Sequence, residues 1–117
     1  MNKISKHTAL EHYKWGNNCD GWNFVDEPSL SVKQELMPAN TFEQLHFHKH
    51  SQQFFFILKG EASFELEGET VQLKEGDGIH IKAGMKHRIK NPSNHDLEFI
   101  LCSQPSTLND RFNCELI

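Results

Sequence analysis

The chain has 117 residues, of which 37% are hydrophobic, and it carries a formal net charge of −4 at pH 7. That length predicts a single domain, and the hydrophobic fraction argues against a disordered chain. The acidic balance argues against nucleic acid and anionic membranes as partners, since both bind basic surfaces.

Cysteine usage and the N-terminus indicate the compartment. Cys19, Cys102 and Cys114 are odd in number and form no CxxC pair, so they predict buried thiols in a reducing cytoplasm rather than a zinc cluster. Residues 1–14 contain no apolar run of the signal-peptide type, and no segment approaches the ~20 apolar residues of a membrane helix. We therefore expect a cytoplasmic protein.

Residues 1–29 predict an N-terminal arm that ends in an edge strand. The arm is polar and weakly patterned up to Gly21, but it holds Trp15 and Trp22. Large aromatic residues near a terminus either cover an open sheet or line the mouth of a site. We favour the covering role.

Residues 30–104 alternate between strands and turns and predict the core of a β-barrel, and residues 105–117 predict a tail or a closing edge. The first clear strand alternates from Leu30 to Glu35, and Met37-Pro38-Ala39-Asn40 breaks it. Short strands at regular turn intervals, with no convincing helix, indicate a closed or nearly closed all-β architecture.

Three histidines, His46, His48 and His50, stand at every second position of the next strand. A strand points alternate side chains to one face, so Phe42, Gln44, His46 and His48 are expected on the same face. Two imidazoles at that spacing can converge on one metal ion. From these residues alone, a solvated histidine-rich strand edge is an equal alternative.

The residues after the histidines need a change of register. Strict alternation would place Gln53 on the face opposite to His48, and a bend or bulge around His50–Gln52 returns it to the inside. Phe55 and Ile57 then also point inward. The outward residues of this run are apolar, namely Phe54, Phe56 and Leu58, which predicts a homodimer or a cover made by the N-terminal arm.

A second strand, far along the chain, also presents a histidine. His87 begins the strand-like run His87–Ile89 just after a turn at Gly84, whereas His80 is expected to face away. Two strands that are distant in sequence and each present histidine are what a metal site in a small β-barrel requires.

The order and spacing of these residues resemble the cupin family over roughly Met37 to Pro105. The first family motif maps onto His46, His48, Gln53 and Gly60. The second motif maps onto Gly76, Lys82, Gly84, His87 and Asn91. The resemblance implies a single-domain double-stranded β-helix, or jelly-roll barrel, with a metal held by His46, His48, Gln53 and His87.

Three positions depart from the family pattern. Asn40 stands where the first motif has glycine, Lys82 where the second has proline, and Gln53 where the first has an acidic ligand. Because an amide does not titrate near neutral pH, Gln53 leaves the double charge of a bound ion undiminished. Such a site should favour an anionic or chelating oxygen ligand.

Three neutral imidazoles and one amide oxygen suit one divalent transition metal, and the sequence does not choose among iron, nickel, manganese, cobalt and zinc. Four protein ligands leave coordination positions open, as in sites that perform chemistry. His50 is the candidate general base. The candidates for an apolar substrate pocket are Phe42, Phe55 and Phe99, although packing is their default role.

Two functions follow from these features. The first is a metal-dependent enzyme, resembling cupin dioxygenases or isomerases, that acts on a small oxygen-rich molecule. The second is a non-catalytic domain that binds a small ligand or senses it. The resemblance is compatible with both, because one fold hosts many unrelated activities.

Overall fold

The computed structural model describes residues 3–114. The first two and last three residues of the predicted N-terminal arm and C-terminal tail therefore lie outside the described residues. Over the described part the chain forms twelve strands, and no helix there is long and apolar enough to cross a membrane.

The first six strands are β1 (Glu11–Trp15), β2 (Cys19–Glu27), β3 (Leu30–Met37), β4 (Thr41–Phe42), β5 (His46–Phe47) and β6 (Gln52–Lys59). The last six are β7 (Glu61–Leu66), β8 (Glu69–Lys74), β9 (Gly78–Ile81), β10 (His87–Asn91), β11 (Leu97–Gln104) and β12 (Phe112–Asn113).

The strands form two antiparallel sheets. The first has the order β1-β2-β3-β11-β6-β9, and the second has the order β12-β5-β10-β7-β8, with β4 also paired to β10. This arrangement confirms the predicted all-β jelly-roll barrel. The N-terminal hairpin of β1 and β2 adds two strands to one edge of the first sheet.

The hydrophobic core lies between the two sheets. Its largest fully buried side chains come from strands of both sheets, and they include Met37, Ile57, Phe64, Ile89, Leu97 and Phe99. Along β6 the burial alternates strictly, with Gln53, Phe55 and Ile57 inside. The predicted register of β6 is therefore confirmed.

The strand that carries the first histidines is not continuous, and this corrects one expectation. Phe42 points outward with 57% of its surface exposed, and it stacks against the guanidinium of Arg88. The prediction that Phe42 shares a face with His46 is wrong because β4 ends at Phe42, and three irregular residues precede β5. The inward position is taken by Glu43 instead.

Candidate metal centre

Three histidines come together inside the barrel. His46 on β5 is the register partner of His87 on β10, and His48 follows two residues after His46. All three are buried, and the nitrogens that they offer lie within 4.8 Å of one another. The three side chains could therefore hold a metal ion.

Backbone carbonyl groups determine which ring nitrogen carries the hydrogen. The Nδ1 atom of His46 donates to the carbonyl of Gln44 at 2.8 Å, and that of His87 donates to the carbonyl of Met85 at 2.8 Å. The Nδ1 atom of His48 donates to the carbonyl of Asp110 at 2.6 Å. Since a carbonyl only accepts, each Nε2 atom keeps its lone pair, as a metal ligand requires.

Burial keeps the three rings neutral. It lowers the pKa of His46 to about 3, with the neighbouring His87 as a second cause. It lowers the pKa of His87 to about 4, and it also lowers the pKa of His48. The buried Nε2 atom of His48 has no hydrogen-bond partner among residues 3–114. Neutral imidazoles with an unpaired inward lone pair fit a divalent transition metal.

Gln53 joins the three histidines. Its Nε2 atom donates to the hydroxyl of Ser103 at 3.0 Å, so its Oε1 atom faces the Nε2 atom of His87, also at 3.0 Å. Both facing atoms are acceptors. Two acceptors at that distance repel unless a proton or a cation lies between them, so Gln53 fits the role of a fourth ligand.

Asp110 creates the bend that returns Gln53 to the inside. Its carboxylate accepts the backbone N–H groups of Lys49, His50 and Ser51 at 2.8, 3.0 and 2.9 Å. These three bonds satisfy the backbone donors of residues 49–51, where the chain leaves the strand. Gln53, after the bend, is buried as predicted. Asp110, 60 positions after His50 in the sequence, thus stabilises the bend through its carboxylate and orients the ring of His48 through its carbonyl.

His46 and His48 open onto a cavity of about 180 Å³. Its walls combine the predicted His46, His48, Gln53 and Phe55 with residues that sequence reasoning missed, namely Tyr13, Lys33, Glu35, Glu43, Leu101, Thr107 and Arg111. Trp15 also lines the cavity, which is the role expected from the sequence as the alternative to covering a sheet. The only sequence feature that could have pointed to Lys33 and Glu35 was the alternation of polar and apolar residues along β3. The polar face of β3, not its apolar face, is turned to the interior.

Three of the predicted site residues lie elsewhere. His50 is exposed, and its backbone rather than its ring makes the contact with Asp110. Phe42 points outward, as described above. Phe99 is fully buried in the core beside Phe55 and is not part of the cavity wall. Only Phe55 among the three phenylalanines lies at the cavity.

Two carboxyl groups face the same cavity. The backbone N–H of Ile89 donates to Glu43 Oε1 at 3.1 Å, and burial raises the pKa of Glu43 to about 8. Burial likewise raises the pKa of Glu35, although the hydroxyl of Tyr13 donates to it and acts in the opposite direction. The cavity therefore holds titratable oxygens beside the candidate metal ligands.

A family model described as "Cupin domain" matches residues 32–103, which is more than half of the chain. No curated protein matches the sequence.

Solved structures share the fold. An RmlC-like cupin from Shewanella frigidimarina is 17% identical, with 91% of this chain and 92% of that chain covered at a TM-score of 0.81. The polyketide cyclase RemF from Streptomyces resistomycificus is 15% identical, with 100% and 87% covered at a TM-score of 0.80. Pac13 from Streptomyces, titled a nucleoside dehydratase, is 19% identical, with 98% and 92% covered at a TM-score of 0.78. At these identities the likeness shows the fold alone.

Proposed function

The chain belongs to the cupin family, and from that premise we propose that it is a metal-dependent enzyme acting on a small oxygen-rich molecule, with dioxygenase-like or isomerase-like chemistry. The observation that carries the proposal is the cluster of three buried histidines whose ligand nitrogens lie within 4.8 Å of one another. The unpaired Nε2 atom of His48 and the Oε1 atom of Gln53 beside His87 suit a cation at the same point.

In this proposal His46, His48, Gln53 and His87 hold one divalent ion of iron, nickel, manganese, cobalt or zinc. A bound ion would supply a Lewis acid for an oxygen atom of the substrate. The remaining walls bind and orient the substrate. Lys33 and Arg111 offer positive charge at the cavity, and Phe55 and Leu101 exclude water from one side.

The cavity limits the substrate to a small molecule. Its volume of about 180 Å³ corresponds to about six water molecules at ~30 Å³ each. The comparisons are compatible with catalysis, since RemF is titled a polyketide cyclase and Pac13 a nucleoside dehydratase. A non-catalytic ligand-binding or sensor domain is the second candidate, because so small a cavity also suits retention of a ligand.

Metal analysis of protein purified without an affinity tag tests the proposal. We expect one transition-metal ion per chain, followed by turnover of a small polar compound in a ligand screen. Stoichiometric metal with tight binding of a compound that is returned unchanged would favour the sensor. Protein that takes up no transition metal when titrated with each of the five ions would contradict both candidates.

We also propose a homodimer in the cytoplasm. The outward residues Phe54, Phe56 and Leu58 are 42%, 37% and 42% exposed, and adjacent apolar side chains of this kind usually mark an interface. Cys19, Cys102 and Cys114 are free thiols, which suits a reducing compartment. The division into residues 1–29, 30–104 and 105–117 also remains a proposal.

A further inference from the structure

The N-terminal hairpin places one side chain across the strands of the first sheet. Tyr13 on β1 is the register partner of Gly21 on β2, and Gly21 is the register partner of Glu35 on β3. A Cβ atom at Gly21 would clash with the ring of Tyr13. The missing side chain at Gly21 therefore allows Tyr13 to lie across β2 and reach Glu35.

Tyr13 and Glu35 are joined by a short hydrogen bond. The hydroxyl of Tyr13 donates to Glu35 Oε2 at 2.6 Å, and Glu35 makes no other side-chain hydrogen bond among the described residues. Its second carboxyl oxygen is thus free to meet a ligand in the cavity. A carboxyl group that is buried with one partner and no ion pair is costly for stability, and such groups are concentrated at functional sites.

Charged groups from several elements surround Glu35. Lys33 is on the same strand, and its Nζ atom lies 5.4 Å from the centre of the Tyr13 ring. Glu43 and Arg111 come from two other segments and line the same cavity, with Arg111 Nη1 3.9 Å from Glu43 Oε2. His46, His48 and Gln53 lie at that cavity as well, so one small molecule can contact both Glu35 and the candidate metal centre.

We propose that Glu35 is the residue that takes a proton from the substrate and returns it, and that Tyr13 is its positioning residue. This inference rests on the proposed function, because it assumes a small substrate held at the candidate metal centre. It selects proton transfer, and hence isomerase-like chemistry, over reaction with dioxygen.

The step is balanced within the substrate and Glu35. The carboxylate removes a proton from a carbon next to a carbonyl group, and the electron pair of the broken C–H bond remains on the substrate as the C=C bond of an enolate. The deprotonated carbon carries a hydroxyl group. The carboxyl of Glu35 returns its proton to the former carbonyl carbon, while the proton of that hydroxyl passes to the former carbonyl oxygen. Carbonyl and hydroxyl exchange places, and no oxidant or reductant is consumed.

The test uses cobalt(II)-loaded protein and dihydroxyacetone, a hydroxyketone small enough for the cavity. In D₂O a proton that reaches Glu35 exchanges with solvent, so proton NMR should show loss of the C–H signal of the probe. We expect Glu35→Gln to slow this exchange by at least ~100-fold, the usual range for a lost acid–base group. Glu98→Gln is the matched control, since Glu98 is on the same sheet but bonds to Lys6 and Gln34 instead.

Tyr13→Phe tests positioning separately from folding. Because the hydroxyl stabilises the carboxylate, its removal should raise the pKa of Glu35 and move the acidic limb of the exchange profile to higher pH. Carbon-13 NMR titration of labelled glutamate in metal-free protein should show the same rise without any reaction. An unchanged Glu35 titration in Tyr13→Phe would overturn the positioning role.

Two further results would overturn the proton-transfer role. One is that cobalt-loaded wild-type protein does not exchange the C–H protons of dihydroxyacetone. The other is that Glu35→Gln exchanges them at the wild-type rate. Cobalt content is measured on every sample, so either result leaves the metal proposal standing. Failure of the wild-type chain to bind cobalt or any of the other four ions would instead contradict the proposed function, and the inference would fall with it.

Discussion

The Nε2 atom of His87 and the Oε1 atom of Gln53 lie 3.0 Å apart, and neither carries a hydrogen. The ring hydrogen of His87 is on Nδ1, which donates to the carbonyl of Met85, and the amide hydrogens of Gln53 point to Ser103. In this orientation the oxygen of Gln53 and the Nε2 atom of His87 can both bind one cation.

Gln53→Glu should raise metal affinity and weaken the binding of anions. A carboxylate replaces a neutral dipole at ~2 Å from the ion, so we expect metal binding at least ~10-fold tighter, or ~1.4 kcal/mol. The charge of the occupied site falls by one unit, so azide or oxalate should bind less tightly. Calorimetry measures both, with Gln52→Glu on the exposed face of β6 as the control. Equal metal affinity in the two variants would remove Gln53 from the ligand set.

Asp110→Ala should destabilise the protein by about 2–4 kcal/mol, because three backbone N–H groups lose a charged acceptor. Asp110→Asn retains one carbonyl oxygen and should have an intermediate effect. We also expect metal affinity to fall by about 10–100-fold. The backbone carbonyl that accepts from His48 remains in both variants, but without the carboxylate bonds to residues 49–51 it is no longer held in place. Urea unfolding and metal titration check both effects against Asp26→Ala, an exposed aspartate. A stability loss equal to that of Asp26→Ala would contradict this role.

Glu43→Gln should change how the stability of the metal-free protein depends on pH. Burial raises the pKa of Glu43 from 4.5 to about 8, so the folded state retains a proton that the unfolded state has lost. The stability that this proton contributes is complete below pH 4.5 and is lost as the pH rises through 8. The stability of Glu43→Gln relative to wild type should therefore increase from pH 5 to pH 8. Urea unfolding at both pH values tests this.

Glu61→Gln, at an exposed position, is the control, and its free energy of unfolding should differ from that of wild type by the same amount at both pH values. The same result for Glu43→Gln would exclude the raised pKa.

Phe56→Glu should convert the proposed homodimer into a monomer, because it places a charge among the exposed apolar residues of β6. Light scattering at high micromolar concentration measures the mass. Val71→Glu is the control, since Val71 is equally exposed but is on β8 of the other sheet. A wild-type chain that is already monomeric at this concentration would contradict the dimer.

The parts of the fold that follow local rules could be predicted from the sequence. The alternation of β6 and the two histidine-bearing strands depend on spacing within a few residues, so Gln53, Phe55 and Ile57 were placed inside correctly. The position of Phe42 was not predictable in this way, because three residues without regular pairing separate β4 from β5 and cancel the alternation.

Long-range pairing determines the remainder of the site. Nothing in the sequence near Asp110 indicates that its carboxylate binds residues 49–51. Tyr13 reaches Glu35 only because two strand registers align both residues with Gly21. The polar face of β3 was visible as alternation, but a hydrophobic pattern would have turned that face to solvent. The buried position of Glu35 is opposite to the usual rule that the polar face of a strand points to solvent, and only the structure shows it.

Metal analysis of His87→Ala tests the central claim most directly. His87 is fully buried, lies beside His46 and faces Gln53, so its loss removes one ligand and breaks the link between the two histidine-bearing strands. We expect stoichiometric metal in the wild-type chain and in His95→Ala, whose histidine is exposed, and no stoichiometric metal in folded His87→Ala. Unaltered metal content in His87→Ala would contradict the three-histidine centre.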